Sequence, residues 1–394
     1  MAYDLAAWLN LALRWLHVIA AIAWIGSSFY FVWLDNNLRP PASPRDGVKG
    51  ELWAVHGGGF YQSQKFLVAP PQMPEHLHWF KWEAYTTWLS GFGLLAVLYY
   101  WGAPSFLIDP AKVAFSHGGA VAAGLAAIAG GWLVYEALCR SPLRDRPRLF
   151  GVTWYLALTA AAFGLTRIFS DRGAFIHVGA TVGTVMAANV LTVIIPNQRK
   201  MVAAMLAGRP IDPRLGAAGK LRSVHNNYMT LPIVFIMISN HYPLVADHPL
   251  NWLLLALLSA AGVSIRHYFN LRHHGHDRHD YLFYAAMLGF IVSVIATAVH
   301  PAPAAGAPAS FAEAQDLIRR HCVTCHSPAP SHKGFAAPPA SVVLDTPAHI
   351  QSFAPRIYTM AVASHAMPLG DETHMTDLER ARLGSWIQAG AKLP

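Results

Sequence analysis

The residues with the most definite chemistry in this 394-residue chain are Cys322-Val323-Thr324-Cys325-His326. Two cysteines spaced C-x-x-C and followed at once by histidine suit covalent attachment of a c-type haem. The thiols would form thioethers to the two vinyl groups, and the adjacent histidine would lie under the iron as an axial ligand. A redox-active or zinc-binding C-x-x-C is the competing reading, and the histidine with its flanking pattern speaks against it. Haem iron in cytochromes c is commonly held by Met and His. Met367, followed by Pro368, is the expected partner of His326. Met360 falls inside an apolar helical run and reads as core; Met375 lies just before the last helix and comes too late.

The elements that must position this motif are short helices. Ser310 with Glu313 reads as a capping box that opens a helix running into the motif. Thr346 before Pro347 reads as a cap with proline at the first helical position. Thr376 with Glu379 opens a last helix with Leu383, Trp386 and Ile387 on one face and a stop at Gly390. Residues 310–394 therefore read as a small all-α class I cytochrome c domain, whose limited core the macrocycle would complete.

The rest of the chain has a different solvent. Mean hydropathy is +0.32 and only 13% of residues are charged, far from a soluble enzyme. A membrane span needs about 20 mostly apolar residues, and eight such runs lie near 8–34, 84–101, 114–138, 150–169, 174–196, 228–246, 251–268 and 281–299. The first lacks a basic leader and a small-x-small site, so it does not read as a cleaved signal peptide. Lys and Arg concentrate in the odd-numbered loops, for example Arg140, Arg144, Arg146 and Arg148 in the third, against Lys112 alone in the second. Such asymmetry places the odd loops in the cytoplasm and both termini outside. The expectation is an eight-helix transmembrane bundle over 1–300, an Ala/Pro linker at 301–309, and a periplasmic cytochrome domain over 310–394. That arrangement means a bacterial inner membrane and lipid contact. The net charge of +8 is spread over loops and forms no patch for nucleic acid. Cys139 reads as a buried reduced thiol.

Polar residues inside spans usually have a task. His17 lies within the first span, His117 opens the third beside Gly118 and Gly119, and His177 opens the fifth with Thr181 and Thr184 on its side. Two readings compete for them: axial ligands to one or more b-type haems, or hydrogen bonds between helices. A haem there would divide a gap of about 30 Å between a cytosolic reductant and an outer cytochrome. His273, His274, His276 and His279 read as a solvated loop rather than a metal site.

At the inner face the loop from 35 to 83 is long for a connector. It holds Trp53, then His56, Gly57, Gly58, Gly59, Phe60 and Tyr61, then Glu75, His76 and His78. Three glycines let backbone N–H groups converge on an anion, or simply make a flexible turn. His225, Asn226 and Asn227 open the sixth span. Adjacent amides can offer donor and acceptor pairs to a flat heterocycle, or cap the span. Arg266, His267 and Glu83 complete a polar rim.

The stretches LHVIAAIAWIGSSFYFVWLD (16–35), HGGGFY (56–61), SVHNNYMTLP (223–232), ISNHYP (238–243) and CVTCH (322–326) make the chain similar to bacterial membrane-bound urate oxidases with a fused C-terminal cytochrome c. The likeness implies oxidation of urate to 5-hydroxyisourate without release of peroxide. Electrons would pass to the cytochrome and on to a terminal oxidase or soluble cytochrome of the respiratory chain. On that footing His56 or His225 would be the catalytic base, Gly57 to Gly59 would face the anion, Asn226 and Asn227 would hold the ring edge, and Tyr61 or Trp53 would stack. The competing readings are a dehydrogenase for another cytosolic substrate and an electron-transfer or haem-handling protein that needs a partner for chemistry.

Overall fold

The computed structural model describes residues 2–43, 46–68, 70–273, 278–298, 308–332, 334–364 and 366–394. Most of the linker expected at 301–309 lies outside the described residues, as do His274 and His276. The chain is mostly helical. It opens with α1 (Ala2–Asn37) and continues into an antiparallel hairpin of β1 (Val48–His56) and β2 (Gly59–Phe66). This hairpin corrects the all-α expectation. Gly57 and Gly58 both have positive φ, +57° and +80°, as a two-residue turn needs if its twist is to match the strands. Trp53, Val55, Phe60 and Tyr61 around it are strand-favouring types.

Next come α2 (Trp82–Leu95), prolonged by a π-helical turn at Ala96–Tyr100, and the short α3 (Ala103–Phe106). The long helices α4 (His117–Arg140) and α5 (Pro147–Thr166) follow. α6 (Asp171–Ala188) runs through a π-helical turn, Asn189–Ile194, into α7 (Ile195–Leu206). After α8 (Pro213–Ser239) and the short α9 (Pro243–Ala246) come α10 (Asn251–His273) and α11 (Asp280–Ala298). Side-chain caps start several of them: Ser116 Oγ accepts from Gly119 N–H, Ser170 Oγ from Gly173 N–H, and Asp212 from Arg214 N–H.

Among the described residues six helices are long and apolar enough to cross a membrane: Trp8–Asn37, His117–Arg140, Pro147–Thr166, Asp171–Leu206, Asn251–His273 and Asp280–Thr297. The other two expected runs are helical as well. One is α2 with its π turn; the other is the second half of α8, whose first half carries Arg214, Lys220, Arg222 and His225. α6 is the most buried and packs against α2, α4, α5 and α8. Small residues set that approach: a Cβ on Gly131 would collide with Thr181 Cγ2, and one on Gly179 would meet Ile236 Cγ2 at 2.7 Å. Large apolar side chains instead cover the outside, among them Trp8, Trp15 and Ile22 on α1 and Leu288, Ile291 and Ile295 on α11. An apolar exterior of this extent suits lipid.

The C-terminal unit consists of α12 (Phe311–His321), α13 (Pro347–Ser352), α14 (Ala354–Ile357) and α15 (Asp377–Gln388). Ser310, Thr346 and Thr376 cap as the sequence predicts, but only Thr376 and Glu379 form the reciprocal box. Glu313 turns instead to Arg382 with both oxygens, each at 2.6 Å. The unit packs Leu317, Ile318, Ile350, Leu383 and Trp386 into its own core. It rests on the even-numbered loops of the bundle. Ser105 Oγ donates to Glu372 at 2.8 Å, and Gly370 lies against the carbonyls of Pro104 and Ser105. Crevices of about 570 and 440 Å³ remain at this junction, both lined by Lys112, Asp171, Asp247, Asp377 and Arg380. Burial pushes the Asp247 carboxyl up to about 6, although Arg172 at 3.6 Å opposes the shift.

Candidate functional site

Four helices bring polar side chains together where α8 begins its apolar half. Four consecutive α8 residues, His225 to Tyr228, point to different neighbours because each step turns about 100°. His225 Nδ1 meets Tyr135 OH of α4 at 2.9 Å, and its ring stacks on Phe150 of α5 with centroids 4.4 Å apart. Asn189, in the π turn after α6, donates to Tyr135 OH at 2.9 Å and to Asn226 Oδ1 at 2.8 Å. Asn226 Nδ2 in turn donates to the Met186 carbonyl at 3.0 Å. Arg222 closes the network by donating to Asn189 Oδ1 at 3.0 Å and to Glu136 at 2.8 Å. Asn226 is therefore engaged by protein on both its ends. His225 keeps Nε2 without a hydrogen bond among the described residues.

Asn227 faces the other way and is 1% exposed. Its Oδ1 accepts from Arg266 Nε at 2.8 Å and from Asn270 Nδ2 at 3.1 Å, both on α10. Arg266, 5% exposed, also lies over the Phe29 ring of α1 at 3.9 Å. Three buried polar atoms of this group have no hydrogen-bond partner among the described residues: Asn227 Nδ2, Arg266 Nη2 and Asn270 Oδ1. Leaving such atoms unpaired costs about 1–3 kcal/mol each, so the arrangement is suited to a polar guest. Next to it Tyr228 OH meets His267 Nδ1 at 2.7 Å.

The hairpin residues expected to share this site stand elsewhere. His56 and Gly59 pair at the hairpin end, and Trp53, Phe60 and Tyr61 are exposed. A Cβ on Gly57 or Gly58 would meet nothing within 4 Å. The hairpin is tied to the end of α1, through the Arg39–Glu51 backbone pair and the Lys65–Asp35 ion pair. Its described hydrogen bonds do not reach α8 or α10.

The three span histidines are dispersed. His17 Nδ1 lies 3.0 Å from the Thr87 carbonyl and 3.1 Å from Ser90 Oγ, with Gly91 against its ring. His177 is fully buried; Nδ1 donates to the Gly173 carbonyl at 2.7 Å and Nε2 meets Tyr100 OH at 3.2 Å. Its ring fills the space that Gly124 leaves on α4. His117 is exposed at the start of α4. Thr181 Oγ1 donates to the His177 carbonyl, and Thr184 accepts from Trp88.

In the C-terminal unit the tight turn after α12 returns His326 N–H to the Cys322 carbonyl at 2.9 Å. His326 Nδ1 donates to the Val342 carbonyl at 3.0 Å, which fixes the ring and leaves Nε2 for a metal. Burial holds this imidazole below the usual histidine range, against the opposing effect of the Val342 carbonyl, so the neutral form that ligates iron is favoured. Cys322 and Cys325 form no disulfide. Burial pushes the Cys322 thiol up to about 12, the reverse of what a redox-active thiolate needs. Among the described residues no three His, Cys, Asp or Glu gather as a metal site, whereas zinc would want four ligands. Met367 packs against the same core as Cys322, and its carbonyl accepts from the buried Arg380 at 2.6 Å. Met375 is buried in that core and Met360 lies in the π turn Tyr358–Ala363. Were a c-type haem held here, Cys322 and Cys325 would attach it and His326 and Met367 would supply donors of the types its iron takes.

Tyr135, Glu136, Asn189, Arg222, Asn270 and Phe29 are the residues that sequence reasoning did not bring to the site. Asn189 and Asn270 carried a signal, since an amide inside or beside an apolar run wants a partner. Arg222 reads from sequence as one more loop charge, yet it is buried against Glu136. No curated protein and no solved structure matches this chain. A family model described as urate oxidase N-terminal matches residues 3–298, a span that takes in α1 to α11 and every residue of the buried polar network. The chain belongs to the urate oxidase N-terminal family.

Proposed function

We propose that the protein is a membrane-bound oxidase of urate, which it converts to 5-hydroxyisourate, with electrons leaving through a c-type haem on its C-terminal unit. The observation that carries this reading is the buried group of Asn227, Arg266 and Asn270, with three unpaired polar atoms, inside the segment that matches the family. Urate is a planar anion at neutral pH, and a buried guanidinium flanked by amides answers both properties.

In the balanced reaction urate and water give 5-hydroxyisourate, two protons and two electrons. Arg266 neutralises the substrate's charge, and Asn227 and Asn270 hold its edge. His267, next to Arg266 on α10 with Nδ1 met by Tyr228 OH, takes a ring proton on Nε2, and water adds to the oxidised ring; His225 stands on the opposite face of α8. Attached at Cys322 and Cys325, the haem would supply a covalently retained one-electron acceptor, emptied by a terminal oxidase or soluble cytochrome. All eight long helical runs cross the bilayer in this reading. The polar network lies at the cytoplasmic side and the C-terminal unit lies in the periplasm, against the even-numbered loops. His17 is the candidate for a b-type haem between them, since its Nε2 makes no hydrogen bond among the described residues.

Adding urate anaerobically to the purified protein should reduce a c-type absorbance band, and a pyridine haemochrome spectrum should count one c haem and any b haem. Protein that dithionite reduces but urate does not would overturn the proposal.

A further inference from the structure

We infer that Asn227, Arg266 and Asn270 together read a cyclic imide edge, so the site selects planar anionic rings that carry C(=O)–NH–C(=O). The inference rests on the proposed urate chemistry and names the part of the substrate that is read.

The unpaired atoms are two donors and one acceptor: Asn227 Nδ2 and Arg266 Nη2 give, and Asn270 Oδ1 takes. An imide edge shows the complement, one N–H between two carbonyl oxygens. The three side chains are already held by one another. Asn227 Oδ1 accepts from both Arg266 Nε and Asn270 Nδ2, which fixes the amide orientations and so decides which atoms remain free. Phe29 under the guanidinium holds its plane. The frame is built before any ligand arrives, and little rotamer entropy would be lost on binding. Recognition of this kind discriminates strongly, because a ligand that lacks the N–H leaves Asn270 Oδ1 buried and unpaired. The guanidinium stays charged at any working pH, so a neutral imide binds less tightly than an anionic one.

The test needs no variant at first. With the full chain in detergent, urate and 1-methylurate, which bears a methyl on the imide nitrogen, are compared by equilibrium binding and by anaerobic reduction of the c-type band. The methyl compound should bind at least about 100-fold more weakly. Asn227→Asp keeps the Oδ1 that Arg266 and Asn270 grip but replaces the free donor by an acceptor. It should weaken urate by about 100-fold while the c-type spectrum and thermal midpoint stay in place. Asn270→Leu should bring urate and 1-methylurate to within about tenfold of each other.

Equal binding of urate and 1-methylurate by the unmodified protein would overturn the inference, even if urate still reduces the haem. Unchanged urate affinity in Asn227→Asp would overturn it too. If urate fails to reduce the band but another anionic imide binds and loses affinity on N-methylation, the urate reading falls and the edge reading stands.

Discussion

His225 carries two constraints at once: Tyr135 fixes Nδ1, and Phe150 fixes the ring plane. Both partners hold it on the face of α8 turned away from Asn227, so it does not touch a ring held there, and His225→Ala should change urate-dependent reduction little. His267, next to Arg266 with Nδ1 met by Tyr228 OH, is the base on the substrate's side, and a positioned base contributes about 10²–10⁴-fold to rate. His267→Ala should lower urate-dependent reduction of the c-type band by at least about 100-fold, with the band itself and its reduction by dithionite unchanged. Tyr228→Phe should fall between His267→Ala and the unmodified protein; stopped-flow reduction of the band separates these proteins. At this scale the sequence is readable where polar side chains interrupt an apolar stretch, as the run His225–Asn227 does. The spacing of Cys322, Cys325 and His326 suggests a haem, which belongs to the proposed function. The sequence is unreadable where the meaning lies in a partner. Asn226 and Asn227 look equivalent in sequence, yet the first is filled by Asn189 and Met186 and the second keeps a free donor.

The helix caps show how far element-level signals reach. Thr376 Oγ1 accepts from Glu379 N–H at 3.3 Å, and Glu379 Oε2 accepts from Thr376 N–H at 2.9 Å. The Thr376 backbone N–H, with its hydroxyl, Arg320 and His321, holds the Glu379 carboxyl down from 4.5 to about 2. A carboxyl depressed in the folded state contributes stability above its unfolded value and loses it as pH falls from 4.5 through 2. Hydrogen exchange in the first turn of α15 should accelerate over that window, and Glu379→Gln should remove the pH dependence. Thr376→Ala should cost about 1 kcal/mol, roughly a fivefold faster exchange of the same amides at neutral pH; no change there would show that neighbouring packing, not the cap, holds the helix start. Long apolar runs were equally legible, and all eight became helices. The hairpin departs from the all-α expectation. Gly57-Gly58 between strand-favouring residues is a two-residue turn signal, and this pair, with positive φ, makes the turn.

Sidedness is a property of the whole molecule, and its two halves reach it by different routes. In the proposed topology the loop charges turn the odd loops inward, and the C-terminal unit is found on the even loops, at Pro104, Ser105 and the stretch around Asp247. The contact surfaces themselves left no trace in the sequence, because short polar loops look alike whether they meet water or another unit. Gly370 is a point of close backbone approach at the junction. Its φ is +60°, and a Cβ would lie 3.2 Å from the Ser105 carbonyl oxygen and 3.3 Å from that of Pro104. Any larger side chain there faces strained backbone on one side and two oxygens on the other. Gly370→Val should lift the C-terminal unit from the bundle while leaving its own core, centred on Leu383 and Trp386, intact. If electrons cross at this junction, urate affinity and the c-type spectrum should be preserved, but the single-turnover rate of band reduction should drop by tenfold or more, because tunnelling rates fall steeply with distance. Glu372→Ala, which removes the hydrogen bond from Ser105 and the pairing with His332 but leaves the Gly370 contact, should slow the same step less. A Gly370→Val protein that reduces its band at the unmodified rate would mean that electrons leave the bundle at some other surface.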